Sequence, residues 1–441
     1  MITIREYARI TSNQKDKPSM DLAVVDQITI DWLVSEHQGG LEQPDAILKD
    51  KHSLRLGSLV GYLESPSGEC IEILPKISSN SPDDEEKQEL RKLLQKMLSA
   101  TLKLNAKQAG AAHLQTTHVP IHEWIINCFL NQTCTLIKKG IRRQYLEVEE
   151  ESTFLRGRLI IARQLRQPPN KATIFQVRHD DFSANRIENR LIKTAVAFAF
   201  KVTKNPVNWR LANELTRQLD EIKPLHQADK YFGKWQSGRL MKDYDPVRPW
   251  CELIINKLNP SFIQGKRKGI ALLYPMERLF ESYVESCLGQ QLTTGSKLKR
   301  QASSKYMLYT KANDVVGVKN WFQLKPDLML INNSSKAILD AKWKMLEEGK
   351  NNTKDKFGIS QSDIYQMYAY GQKYLQGDGH IFLIYPFHKN FPNDVPPFYF
   401  DDELQLWIVG FDLDSGHIMA GEHSPILNGY LVNPSLVIDG I

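Results

Sequence analysis

Cysteine is scarce in this chain of 441 residues: Cys70, Cys128, Cys134, Cys251 and Cys287 are widely spaced and form no C-x-x-C pair. An odd, scattered set excludes a disulfide framework and a zinc ribbon, fits a reducing cytoplasm, and reads as small buried hydrophobes. Long apolar runs are also missing. The strongest, residues 195–200, is bounded by Lys193 and Lys201, far short of the roughly 20 apolar residues a spanning helix needs, so no membrane association is expected. Residues 1–7 alternate like a strand and lack the charged, apolar, small-residue succession of a signal peptide, which points to the cytoplasm. No G-x-x-x-x-G-K-[ST] string occurs. The nearest, Thr294-Gly295-Ser296-Lys297, lacks the leading glycine, so the chain is not expected to bind or hydrolyse a nucleotide by itself. Zinc-finger spacing, internal repeats and low-complexity tracts are absent. Neither charge sign dominates: 57 Lys+Arg against 51 Asp+Glu leave a net +6, mild for a dedicated nucleic-acid binder.

What is present suits a soluble α+β multidomain protein, since 41% hydrophobic and 24% charged residues leave ample material for more than one core. Residues 1–82 read as a β-rich N-terminal module. It ends in two alternating runs, 57–64 and 69–74, around the Pro/Gly turn 65–68. A polar linker, 78–84, precedes a helical pattern over 85–104 carried by Leu90, Leu93, Leu94, Met97 and Leu98. Residues 83–274 form a mainly helical middle region for partner docking, with helices expected from Pro120 to Gly140 and over 184–202, 208–222 and 249–258. The polar segments 153–159 and 180–189 introduce helices. From Pro275 the pattern becomes α/β, and 275–441 is expected to be a domain of its own, opening with a helix over 276–288.

The chemistry concentrates in that last third. Lys325-Pro326-Asp327-Leu328-Met329-Leu330-Ile331, the turn 332–335, and Lys336-Ala337-Ile338-Leu339-Asp340-Ala341-Lys342-Trp343-Lys344 read as a hairpin. A turn centred near Asn333 and Ser334 pairs Asp327 with position 340 or 341, and two carboxylates directly opposite lie about 5 Å apart. Period-two alternation sets Asp340 and Lys342 on one face and turns Ala341 toward the core. Carboxylates this close repel unless a cation intervenes, and a hard divalent ion with oxygen ligands, Mg²⁺ with Mn²⁺ as a substitute, is the ordinary solution. A lysine beside it orients water and stabilises charge on a phosphate.

This Pro-Asp, then Asp-x-Lys order resembles the PD-(D/E)xK restriction-endonuclease-like superfamily. Glu281, following Leu279-Phe280, resembles the leading-helix glutamate of that superfamily, which often reaches the metal. Glu277 and Glu285 fit a solvated stripe at four-residue spacing. Gln366 and Tyr370, four apart on one helical face, match the Q-x-x-x-Y element of RecB-like nucleases, which supports the site. With Val60-Gly61-Tyr62, residues 71–77, Phe154-Leu155-Arg156-Gly157-Arg158-Leu159 and Asn185-Arg186-Ile187-Glu188-Asn189, most of the chain resembles the McrC family.

That resemblance implies a Mg²⁺-dependent DNA endonuclease subunit of a modification-dependent restriction system. It would cut double-stranded DNA with a GTP-hydrolysing AAA+ partner of the McrB type, which it stimulates. Asp327 and Asp340 would hold the ion with Glu281, Lys342 would orient water, and Gln366 and Tyr370 would support them. For phosphates the candidates are Lys266, Arg267, Lys268, Lys297, Lys299 and Arg300. Arg156 and Arg158 are candidates for the partner ring, against a purely structural hairpin. The rivals are a free-standing RecB-like repair nuclease and a non-catalytic activator of an AAA+ NTPase.

Overall fold

The computed structural model describes residues 1–38, 47–50, 52–77, 84–102, 119–258, 269–311, 318–332, 335–350, 352, 354–392, 395–432 and 435–436. The chain divides into two compact units, one made of Met1–His118 with Leu273–Ile441 and the other of Val119–Leu272. This grouping differs from the tripartite reading. The N-terminal module, the helix Asp84–Thr101 and the C-terminal third share one unit, in which that helix packs against the helix Met276–Gln290. No described helix is long and apolar enough to cross a membrane.

In the first unit, Leu59–Glu64 and Cys70–Leu74 form the expected antiparallel hairpin, with Tyr62 opposite Glu72. Gly68, at φ 91°, closes its turn through an N–H bond to the Ser65 carbonyl of 2.9 Å. Ile2–Arg5 adds in parallel to Cys70–Leu74, and Ile270–Pro275, where the chain returns, borders the other edge. A second sheet of four short strands holds Arg9–Thr11 between Leu22–Val24 and Ser53–Arg55. The expected linker 78–84 falls mostly on residues 78–83, outside the described residues.

The C-terminal third is built on an eight-stranded mixed sheet. Its order begins Lys297–Arg300, Leu328–Ile331, Lys336–Ala341, Gly379–Pro386, Leu404–Phe411. The first three are antiparallel neighbours; the next two add in parallel. Parallel strands buried on both faces carry continuous apolar runs, and Ile381 through Tyr385 are all fully buried. The helix Met276–Gln290 buries Leu279, Phe280, Val284 and Leu288 and contacts the strand Lys336–Ala341. Its Phe280 ring meets Trp343 and Phe411 edge-on at 5.4 and 6.0 Å, and a buried phenylalanine of this kind contributes about 2–3 kcal/mol. The helix Gln361–Tyr370, capped by the Ser360 hydroxyl, packs Met367 and Tyr370 with Ile338, Ile381 and Leu383.

The second unit is more than helical. Gln144–Ser152 and Phe175–Ser183 pair antiparallel over nine residues, with Arg158–Leu159 as a third strand. The helix-introducing segments of the sequence reading thus lie partly on strands. They contribute little apolar signal because this sheet is stitched by charge, for example Arg178 opposite Glu149. The helices Ile121–Lys139, Ile187–Val202 and Pro206–Gln218 form the core beside it, with Trp124 and Trp250 edge-on at 5.4 Å. Buried Glu123 accepts from Thr203 Oγ1 at 2.6 Å and Asn208 Nδ2 at 2.8 Å, which ties two helices through one carboxylate. The first helix ends where expected, at Gly140 with φ 98°.

Candidate active site in the C-terminal sheet

The hairpin register pairs Leu328 with Leu339, so the next position outward sets Asp327 against Asp340. Asn333 and Ser334, the expected turn centre, lie outside the described residues. Asp327 is locked from below: its Oδ2 accepts the Ala341 N–H at 3.0 Å, and its carbonyl accepts the Gln301 N–H at 2.8 Å. Asp340 is only 1% exposed. Its Oδ2 stands 2.6 Å from the Lys342 ammonium, while its buried Oδ1 has no hydrogen-bond partner. Ala341 is buried too, 6% exposed, because this strand is covered on both faces.

A chain of hydrogen bonds runs from the lysine to the helix. Lys342 Nζ donates to Gln366 Oε1 at 3.3 Å, Gln366 Nε2 donates to the Tyr370 hydroxyl at 2.7 Å, and that hydroxyl donates to the Lys325 carbonyl at 3.0 Å. Helical spacing of four residues puts both side chains over one strand end, and the chain closes back on the residue two before Asp327. The sequence reading missed the pair beside it, Lys344 Nζ to Asp363 Oδ2 at 2.9 Å. Period-two alternation from Lys342 and one helical turn back from Gln366 both point to it.

The electrostatics are those of a site short of positive charge. Burial, then the charges of Asp340 and Glu281, push the Asp327 carboxyl up to about 8. Burial raises Asp340 as well, although the Lys342 ammonium opposes it. Burial alone would lower Lys342, but Asp340 and Asp327 outweigh it and hold the ammonium protonated. Glu281 sits half-buried on the leading helix; its field acts on both aspartates, and its Oε1 accepts from Gln301 Nε2 at 3.3 Å. Among the described residues no group of three or more His, Cys, Asp or Glu closes into a metal cage. The chemistry that a hard cation would fit is the Asp327–Asp340 pair, where the partnerless Asp340 Oδ1 is the atom such an ion would satisfy.

Of the basic candidates, Lys299 and Arg300 lie on the strand Lys297–Arg300, opposite Met329 and Leu328 and so next to Asp327. Lys297, at the far end, lies opposite Ile331. Arg300 is engaged by Glu285 at 3.1 Å, which removes Glu285 from a purely solvated stripe. Lys266, Arg267 and Lys268 lie outside the described residues. Arg156 and Arg158 belong to the other unit. Arg156 pairs with Glu150 and stands over the Phe154 ring at 5.8 Å, and Arg158 lies opposite Arg178. Gly157 between them, at φ 69°, is obligatory, because a Cβ there would collide with the Arg178 carbonyl.

A further residue escaped the sequence reading. Glu6, fully buried just past the first strand, accepts from Trp343 Nε1 at 2.8 Å, from the Lys76 N–H at 2.8 Å and from the Ser58 hydroxyl at 3.1 Å. Burial pushes its carboxyl up to about 7 against those donors. Trp343 directly follows Lys342, so the N-terminal module grips the strand that carries the candidate site. Trp343 and Lys344 then line a cleft of about 1070 Å³ together with Arg55, Lys76, Lys350 and Lys389.

No curated protein matches the sequence significantly. Among solved structures, the fold is similar to a chain in the refined half-complex from the tetradecameric assembly of Thermococcus gammatolerans McrB AAA+ hexamers with bound McrC. That match has a TM-score of 0.65 at 19% identity and covers 94% of this chain and 95% of that one. A chain of the T. gammatolerans McrBC complex matches over 65% of this chain and 86% of its own length, at 22% identity and a TM-score of 0.47. A family model for the McrBC 5-methylcytosine restriction system component matches residues 54–386, well over half of the sequence, and the chain belongs to that family.

Proposed function

We propose that this chain is the Mg²⁺-dependent DNA endonuclease subunit of a McrBC-type restriction system, with a catalytic domain of the PD-(D/E)xK kind. It cuts modified double-stranded DNA together with a GTP-hydrolysing AAA+ partner of the McrB type, which it stimulates. The observation that carries this reading is the buried Asp327–Asp340 pair with Lys342 at 2.6 Å from Asp340, an arrangement costly to keep unless a cation completes it.

Asp327 and Asp340, with Glu281, would hold the ion, which supplies Lewis-acid polarisation of the phosphate and acidifies a bound water. Lys342, protonated, orients the attacking water and places a positive charge against the oxyanion that builds on phosphorus. Gln366 fixes the direction of the lysine, and Tyr370 fixes Gln366. Lys299 and Arg300 meet the DNA backbone beside the cut, with Lys297, Lys266, Arg267 and Lys268 as further phosphate contacts. Residues 83–274, which contain the unit Val119–Leu272, serve partner docking, with Arg156 and Arg158 directed to the ring.

The test is cleavage of methylated plasmid DNA by the purified chain with Mg²⁺, with and without a McrB-type partner and GTP. Cutting is expected only with the partner. Vigorous cutting by the chain alone would favour a free-standing repair nuclease, and cutting that survives Asp340→Ala in the full complex would remove the site.

A further inference from the structure

Immediately before Asp327, Lys305–Lys311 and Val318–Leu324 form a two-stranded antiparallel ribbon that joins no larger sheet among the described residues. The catalytic cluster makes no use of it. A lone two-stranded ribbon is marginal in water unless one face is covered. Here Met307, Leu308, Tyr309, Trp321 and Phe322 are 42% to 71% exposed.

What holds the ribbon is its base. The Tyr374 hydroxyl lies within reach of the carbonyls of Ala302 and, at 2.8 Å, Leu324, so one side chain anchors both strand ends. Gln323 Nε2 donates to the Ser303 carbonyl at 2.7 Å. Tyr370, part of the candidate site, holds the next residue but one before Asp327 through the Lys325 carbonyl. The arm is therefore seated on the helical segment that supports Lys342. Connecting residues 312–317 lie outside the described residues.

Two observations say what the arm touches. Across 303–310 and 319–325 there are three lysines, 305, 319 and 325, and no acidic residue; Asp314 falls in the connection outside the described residues. That is a surface for a polyanion. Secondly, Phe322 has φ 58° in the middle of its strand, a left-handed conformation that crowds a side chain's Cβ against the following carbonyl. The ladder pairs Tyr306 with Gln323 and Leu308 with Trp321 and omits the pair between them. The result is a large aromatic ring, 71% exposed, held out on strained backbone five residues before Asp327. Strain of this sort persists where a side chain has a task.

We infer that the ribbon is a DNA-contacting arm, with Lys305 and Lys319 on phosphates of the duplex beside the scissile bond and Phe322, flanked by Trp321, stacked on a base step. Apolar side chains that wedge between base steps, and aromatic rings that stack on bases, are established devices for engaging DNA. Five extended residues reach at most about 17 Å, so the stacked step lies within roughly five steps of the cut. The inference rests on the nuclease reading.

The experiment uses the full chain assembled with its partner, and reads binding apart from cutting. A fluorescein-labelled methylated duplex is titrated in Ca²⁺ by anisotropy, and cleavage is assayed separately in Mg²⁺. Phe322→Gly keeps the positive φ without the ring, so it is expected to bind DNA about tenfold more weakly or worse, as loss of one stacked base predicts, while its thermal midpoint stays level or rises. The double variant Lys305→Gln/Lys319→Gln is expected to lower the slope of log K against log salt by about two. Wild-type affinity and salt slope in both variants, in a complex that binds and cuts normally, overturn the arm alone. Loss of partner assembly at unchanged DNA affinity also overturns it, as a protein contact instead. A wild-type complex that binds no DNA overturns the arm and the nuclease reading together.

Discussion

In the sheet of the Val119–Leu272 unit, Glu149 and Glu151 stand in solvent against basic partners, Arg163 at 2.8 Å and Lys171 at 3.0 Å. In the C-terminal sheet, Asp327 and Asp340 stand buried against each other. The same functional group titrates in opposite directions. A hydrogen bond from Arg178 holds Glu149 below the usual carboxylate range, and one from Lys171 does the same for Glu151. Burial drives both aspartates up, joined by the charges of Asp340 and Glu281 at Asp327 and by those of Asp363 and Glu281 at Asp340. Exposed, paired carboxylates are screened by solvent and cost little to keep charged. Buried carboxylates short of cations cost stability when they ionise, and a proton or a bound cation relieves that cost.

Removing either charge of the buried Asp340–Lys342 pair breaks the comparison most severely. Asp340→Asn or Lys342→Ala is expected to reduce DNA cutting by the complex by roughly a thousandfold or more, measured on methylated plasmid, while stimulation of the partner's GTPase is retained. Gln366→Ala, which frees the lysine without altering the charge, is expected to cost about 10- to 100-fold, seen in the turnover rate of the same assay.

The raised carboxyls give a pH dependence of defined sign. Asp327 and Glu6 hold protons more tightly folded than unfolded, so stability falls as pH rises from the usual carboxylate range toward about 8 for Asp327 and about 7 for Glu6. Metal-free protein is therefore expected to lose thermal midpoint across that window. Asp327→Asn is expected to recover a few degrees near pH 8, by about 1–3 kcal/mol, and Glu6→Gln is expected to flatten the lower part of the curve. Scanning calorimetry in chelator-treated buffer checks both. Occupation by Mg²⁺ must expel the proton of Asp327, so apparent Mg²⁺ affinity is expected to rise by up to about tenfold per pH unit until about pH 8. Titration calorimetry in buffers of different ionisation heat reads the released proton.

The smallest effect belongs to the exposed sheet. Glu149→Gln removes one member of a solvent-screened cluster and is expected to leave the thermal midpoint within error at moderate salt. A clear loss there would mean that the charged ladder, and not the helices beside it, holds that unit.

Much of the candidate site was legible because its parts obey short-range periodicities. The hairpin of 328–341, the helix with Gln366 and Tyr370, and the buried run 381–385 follow from alternation, a turn and a cap. The sheet over 144–183 was harder to see, since its strands are written in glutamate, arginine and aspartate, which carry weak strand preference. Lys344 with Asp363 was visible in principle, one strand period and one helical turn from residues already singled out.

Glu6 with Trp343 was not visible at all. Their hydrogen bond joins residues more than 300 apart in sequence, and no local pattern encodes which distant partner a buried carboxylate will find. By itself the sequence determined the hairpin over 328–341, the helix with Gln366 and Tyr370 and the buried run 381–385, and the order in which Asp327, Asp340, Lys342, Gln366 and Tyr370 follow one another. The tertiary structure decided that the strand Lys336–Ala341 lies in parallel beside Gly379–Pro386, which swings the helix Gln361–Tyr370 back over the end of the hairpin. It also decided how deeply the aspartates are buried, and burial sets their charge because desolvation depends on every neighbour that excludes water.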